Sequence, residues 1–252
     1  MPTISTATRT HAGRWLAFIV LLAGGLLPSV DFFIVNVSLP SIHTSLGASP
    51  AEVQLVVSGY AAGYAVFLIT GGRLGDLYGR RRLFLIGMAG FIATNTLCGL
   101  AASPVELVVG RILQGLAAAM LAPQVLGSVR ALFPGEAELA RALSFYGVMM
   151  GLAASIGQFA GGALVEWSPF DWGWRTVFLS KPPIGIPVML LVWLFVPETS
   201  ASRRQRLDIG GAALVSLALG CLVLPLSEGR QQGWPVWTFS MLAAVPDRKS
   251  VV

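Results

Sequence analysis

Uncharged apolar runs alternate with short polar or basic stretches along almost the whole chain, and each run is close to the ~20 residues that a helix needs to cross a bilayer. The pattern predicts seven spans, at 15–39, 53–71, 83–102, 105–129, 142–165, 178–196 and 209–227. An eighth run begins near Trp234 and meets the chain end after about a dozen residues, short of a span. No run shows the period-two alternation of a half-buried strand, so the expected class is an all-α membrane protein. Helices 2 and 4 open alike, with Ser49-Pro50-Ala51-Glu52 and Ser103-Pro104-Val105-Glu106. In each, serine caps free amides, proline takes the first helical position and glutamate closes a capping box.

Charge supplies the orientation. Arg9 and Arg14, then Arg73, Arg80, Arg81 and Arg82, then Arg130 and Arg141, then Arg203, Arg204 and Arg206 fall in alternate connections. The opposite connections hold Arg175, Lys181 and Arg230. The positive-inside tendency therefore predicts a cytoplasmic N-terminus, with 1–14 as a cytoplasmic lead rather than a cleaved signal. Trp15, Trp167, Trp172, Trp174, Trp234 and Trp237 lie at predicted interfaces, where amphipathic rings are favoured.

Composition agrees: 55% of residues are hydrophobic and 12% charged, with a mean hydropathy of +0.73. The formal charge of +5 is a topology signal here, not a nucleic-acid footprint. Cys98 and Cys221 fall inside apolar runs and read as small buried hydrophobes, not as a disulfide or metal site. No H-E-x-x-H or G-x-S-x-G motif is present, and His11 and His43 lie outside the spans, so an intramembrane enzyme is disfavoured and no metal or cofactor is implied.

Between spans 2 and 3, residues 72–82 read as a short loop, Gly72-x-x-x-Asp76-x-x-Gly79-Arg80-Arg81-Arg82. This pattern resembles the signature loop between helices 2 and 3 of major facilitator superfamily transporters, with Leu77 where the family places Arg or Lys. Val30-Asp31 through Asn36 to Leu39-Pro40 resembles the helix-1 signature of that superfamily's fourteen-helix drug:proton antiporter branch. Arg111, Gln114 and Gly115 match the family's helix-4 motif. Trp174-Arg175, the Pro183-Ile184-Gly185 stretch, the short link after span 6 and Leu207-Asp208-Ile209-Gly210 are similar to the same branch, with Lys181 in place of its usual asparagine. Span 5 carries Gly147, Gly151, Gly157, Gly161 and Gly162 at helix-packing spacings. It is similar to the glycine-rich helix-5 motif of antiporters, with Gln158 where that motif has proline.

The resemblance implies a six-helix N-terminal transporter half at 15–196, a cytoplasmic linker at 197–208, and helix 7 with an incomplete helix 8 at 209–246. It implies proton-driven export of small lipophilic or cationic compounds by alternating access, in the plasma membrane. The partners would be the lipid bilayer, protons and a small-molecule substrate, with no nucleic acid. In that reading Asp31 takes up protons and Arg111 is its electrostatic partner. Asn36, Gln114, Gln124 and Gln158 offer polar groups to the cavity, and Gly72, Asp76, Gly79, Arg80 and Arg81 form a cytoplasmic latch. Alternatives stay open at each point. Asp31 could simply lie near the outer headgroups, Arg111 could tie to the Asp76 loop, and the glycines could serve packing alone. A metabolite transporter for a sugar, organic acid or siderophore, or a scaffold without transport, remain rivals. The ending Asp247-Arg248-Lys249-Ser250-Val251-Val252 interrupts an apolar run and corresponds to a reading of a common sequencing adapter. The expectation is that 247–252 form a non-native tail on a C-terminally truncated chain that lacks its C-terminal half and is inactive alone, with a genuine short product ending at a natural stop as the rival.

Overall fold

A computed structural model of the chain describes residues 11–168, 171–199, 209–229 and 233–244. Every regular element among them is a helix: α1 (His11–Leu46), α2 (Pro50–Tyr78), α3 (Arg80–Leu100), α4 (Pro104–Ala119), α5 (Ala122–Leu132), α6 (Glu136–Trp167), α7 (Arg175–Leu179), α8 (Lys181–Phe195), α9 (Ile209–Glu228) and α10 (Val236–Ala243). Taking α4 with α5 and α7 with α8, six helical stretches are long and apolar enough to cross a membrane. The 20-residue α9 reaches about 30 Å at 1.5 Å per residue. The eight-residue α10 is shorter than the expected dozen. The basic cluster around Arg203, the Leu207-Asp208 lead, Arg230 and the tail at 247–252 lie outside the described residues.

Four boundaries differ from those the hydropathy pattern predicts, each for a physical reason. Helix 1 runs past Leu39, with Pro28 and Pro40 in its interior. Each proline frees the carbonyl four residues before it, Gly24 for Pro28 and Asn36 for Pro40, a loss that membrane helices tolerate. Residues 72–78 are not a loop but the last two turns of α2. Only Gly79, at φ 101°, leaves the helix before α3 begins. Span 4 breaks at Met120 and Leu121, because Pro123 has no N–H and its ring crowds the Ala119 carbonyl. Span 6 breaks at Ser180, ahead of Pro182 and Pro183.

Both predicted serine caps form. Ser49 makes the full reciprocal box with Glu52. Ser103 caps Glu106, whose carboxylate reaches back to the Ala102 amide at 2.9 Å instead of to Ser103.

Close backbone contacts hold the bundle together. A Cβ at Gly63 would strike the Ile112 carbonyl, and one at Gly115 the Tyr60 carbonyl, so α2 and α4 pack backbone against backbone. Gly157 and Gly161 do the same for α6 against α1, near the Val30 and Ile34 carbonyls. Gly147, Gly151 and Gly162 face open space, so the predicted glycine stripe packs at two of its five positions. They sit on a face of α6 turned away from α1, along with the exposed Val148, Leu152 and Phe159.

Two aromatic-rich cores result. One gathers Phe18, Phe84, Phe91 and Phe133. The other gathers Ile34, Val56, Leu107, Trp174 and Phe178. Trp174 is thus no interfacial belt residue: it is buried, and its indole N–H donates to Ser45 Oγ at 3.0 Å.

Candidate functional site

Asp31, Arg111 and Lys181 meet at the centre of the bundle, each at most 2% exposed. Asp31 projects from the middle of α1, Arg111 from the middle of α4, and Lys181 from the first residue of α8. The glycine contacts between α2 and α4 set the position of Arg111, which lies four residues before Gly115. Its Nε donates to the Val56 carbonyl at 3.0 Å, and the guanidinium stacks over the Tyr60 ring at 4.3 Å. One Asp31 oxygen, Oδ2, accepts from Arg111 Nη1 at 2.8 Å and from Gln114 Nε2 at 3.0 Å. The other, Oδ1, faces Lys181 Nζ at 3.3 Å as an ion pair without a hydrogen bond. Gln114 Oε1 in turn accepts from Arg111 Nη1 at 2.7 Å.

An uncompensated charge at this depth is costly, and the arrangement answers that cost with opposite charges and charge-assisted hydrogen bonds. Asp31 is therefore held inside protein, not near headgroups, and Arg111 is tied to it and not to Asp76. Lys181 does not belong to an outer connection. Its ammonium is folded inward, donating to the Val177 carbonyl at 2.8 Å across the α7–α8 break. The sequence carried a usable signal for this, because Lys181 falls three residues inside the predicted span 178–196, and an ionisable residue within a span is a functional candidate by default.

Beside the cluster lies an aromatic cavity of about 370 Å³, lined by Pro28, Ser29, Phe32, Phe33, Tyr60, Tyr64, Tyr146 and Met150 among others, with no charged side chain on its wall among the described residues. Tyr60 separates the two features. Its ring takes Arg111 on a face and lines the cavity, and its hydroxyl donates to the Pro28 carbonyl at 3.1 Å.

The four polar candidates for the cavity part company. Gln114 belongs to the charge cluster. Gln124 is buried against Gly75 and donates to the Gly71 carbonyl at 2.8 Å, the contact that steadies the α4–α5 break. Asn36 is exposed and bonds the Phe32 and Phe33 carbonyls of its own helix. Gln158 is exposed, one residue and so about 100° round from Gly157, which faces α1. None of the four lines the cavity.

At the Gly79 corner the latch residues do converge. Arg80 pairs with Asp76 at 2.8 Å and donates to the Gly127 carbonyl of α5 at 2.7 Å. A third participant, absent from the sequence reading, is the strand of chain after α8. Glu198 Oε1 accepts the Arg81 amide at 3.0 Å, its carboxylate lies 3.7 Å from both the Arg81 and Arg82 side chains, and the Thr199 carbonyl accepts the Arg80 amide at 2.8 Å. Gly72 packs on Pro123, which makes it a contact residue of the α2 end, not a turn residue.

Residues 21–245 match the Major Facilitator Superfamily model. The chain is 41% identical over 234 residues to a probable actinorhodin transporter of Streptomyces coelicolor, covering 93% of this chain and 40% of that protein. It is 39% identical over 228 residues to the multidrug resistance protein Stp of Mycobacterium tuberculosis, covering 89% of this chain and 42% of that one. The chain thus spans less than half the length of these relatives. Among solved structures, the bacterial homologue of the human lysosomal transporter Spinster, in an inward-facing and unoccupied conformation, superposes with a TM-score of 0.66 at 20% identity, over 93% of this chain and 59% of that one. Fold, motif positions and sequence similarity agree, and the chain belongs to the Major Facilitator Superfamily of membrane transporters.

Proposed function

We propose that these helices serve a proton-coupled exporter of small, drug-like aromatic compounds that works by alternating access between two halves. Residues 15–196 form one six-helix half, 197–208 a linker, and 209–246 the start of further spans. The protein sits in the cell membrane with its N-terminus inside, and it moves its substrate without chemically changing it. The observation that carries this reading is the buried Asp31–Arg111 pair, separated from an aromatic cavity by the single ring of Tyr60. Asp31 and Arg111 are the core of the coupling site. The buried charges tie α1 to α4 and to α8, so a proton bound or released within the cluster changes how firmly these helices are held together. The Gly79 corner, with Asp76, Arg80 and Arg81, is the latch whose opening permits those movements.

The cavity narrows the substrate class. Phe32, Phe33, Tyr60, Tyr64 and Tyr146 offer flat faces suited to stacking on fused rings. No carboxylate lines the wall, and Asp31 is already occupied by two cations and an amide. Neutral or acidic aromatic compounds therefore fit better than the lipophilic cations considered from sequence. The names of the relatives, an actinorhodin transporter and a multidrug resistance protein, support the reading.

The test is transport by the purified full-length protein in liposomes, with a hydroxyanthraquinone dye as substrate and an imposed pH gradient. Dye movement against the proton gradient, lost on collapsing that gradient, is expected. Gradient-driven movement of a sugar but not of the dye, or no proton dependence, would overturn the proposal.

A further inference from the structure

The cluster places two cations on a single carboxylate, which raises the question of where an exchanged proton resides. We propose that Lys181 carries it, with Asp31 as the permanent counter-charge and Arg111 as the fixed cation. The inference rests on the reading of this cluster as the coupling site.

The charge states can be enumerated. Arg111 keeps its proton in any protein environment. With Asp31 ionised and Lys181 an uncharged amine, the cluster is neutral. One added proton makes it +1 and a second makes it +2. Net charge buried away from water is expensive, so the cycle runs between the neutral and +1 states.

That single proton has two possible seats. Placed on Asp31, it discharges the carboxylate whose Oδ2 accepts from Arg111 at 2.8 Å and from Gln114 at 3.0 Å, and it leaves Arg111 buried without a counter-charge. Placed on Lys181, it keeps both contacts charge-assisted. It also adds a second attraction, because Nζ lies 3.3 Å from Oδ1, an oxygen with no other hydrogen-bond partner. Nζ keeps its bond to the Val177 carbonyl at 2.8 Å as well. In water an amine already outcompetes a carboxyl for a proton by about six orders of magnitude.

The surrounding helices supply no alternative seat. α2 contributes the Tyr60 phenol, whose hydroxyl is committed to the Pro28 carbonyl. α3 contributes the Asn95 amide, bonded to the Phe91 carbonyl, and the Cys98 thiol, 3.8 Å from Gln114 Oε1. α7 contributes Thr176, while the Arg175 guanidinium at its start turns away to the Ala101 carbonyl at 2.9 Å. Among the described residues, Asp31 is the only carboxylate paired with Arg111 or Lys181.

A structural consequence separates the two seats. A proton on Asp31 would loosen α1 from α4. A proton leaving Lys181 instead loosens α1 from α8 while the α1–α4 pair persists. α8 is joined to α7 at the Ser180 break, so it is the element with freedom to pivot.

The experiment exploits composition, since Lys181 and Lys249 are the only lysines in the chain. Lys249→Arg leaves one lysine, whose charge is read directly by NMR of the chain in micelles with 13C- and 15N-labelled lysine. The expected result is a switch of the Lys181 signal between its ammonium and amine positions within the pH range in which a solvent-exposed lysine stays an ammonium. A signal that remains ammonium, or remains amine, across that range overturns the proposal without need of any variant in the cluster. Asp31→Asn, which removes the counter-charge, should hold Lys181 as the amine throughout.

In the full-length protein, Lys181→Arg keeps the cation and the ion pair but cannot release a proton. Proton-driven dye movement should fall at least tenfold, and undiminished coupling would overturn the proposal. A Lys181 that switches in a full-length protein showing no proton-driven transport would uphold the assignment and defeat the coupling reading instead.

Discussion

Replacing Gly115 by alanine tests whether the charge cluster depends on the backbone contact between α2 and α4. The new methyl would strike the Tyr60 carbonyl and lie 2.9 Å from the Tyr64 nitrogen and 3.0 Å from the Tyr60 carbonyl carbon. All three are main-chain atoms, so no side chain can rotate aside and the two helices must part. Overpacking of this kind costs about 1–3 kcal/mol. Alanine's better helix propensity returns about 1 kcal/mol, which leaves a net loss of up to about 2 kcal/mol. Gly147→Ala is the matched control. Nothing lies within 4 Å of that position, so only the propensity gain of up to about 1 kcal/mol applies. The propensity gain is common to both, so they differ by the overpacking cost, and at about 2–4 °C per kcal/mol for a chain of this size Gly115→Ala should melt about 2–12 °C below Gly147→Ala. A thiol-reactive dye reads the transition at Cys98, which is buried and unpaired, in a Cys221→Ser background. Equal melting temperatures for the two variants would refute the contact and the positioning argument built on it.

Other outcomes follow from single contacts. Asp31→Asn strands the buried Arg111 cation without its counter-charge and should cost about 3–5 kcal/mol in detergent unfolding. Glu198→Ala removes the acceptor of the Arg81 amide, so hydrogen exchange at that amide should rise about tenfold or more, whereas Glu198→Gln should leave it nearly unchanged. Ser49→Ala removes the α2 cap and should lower stability by about 1 kcal/mol. Cysteine placed at 81 should label from the cytoplasmic side and at 171 from outside, and the reverse pattern would invert the topology.

Much of the helical order could be read from hydropathy, because a bilayer demands long apolar helices and their length is fixed by its thickness. Motif spacing also singled out Asp31, Arg111 and Gln114, each a polar group inside a span, and the structure brings the three into contact, with Gln114 in the charge cluster instead of on the cavity wall. What the pattern could not show was direction. Lys181 sat beside a predicted interface, and only the Pro182–Pro183 break, which turns its side chain inward, decided that it joins the cluster. The helical nature of residues 72–78 was hidden for a similar reason: glycines and charges mark a loop in water, yet here Gly71 and Gly75 are small so that Ala119 and Gln124 can approach. The reach of Glu198 back to the Gly79 corner spans more than a hundred residues and leaves no local trace.

Tyr60 makes one ring answer to two occupants. Arg111 rests on its face, and a compound in the cavity would press on the same side chain from elsewhere. Two binding events that share a mechanical element are thermodynamically reciprocal: whatever factor protonation imposes on affinity for the compound, the compound must impose on affinity for the proton. A conservative Tyr60→Phe exchange, which keeps the ring but frees the Pro28 carbonyl, would then change the size of that factor while leaving its two-way equality intact.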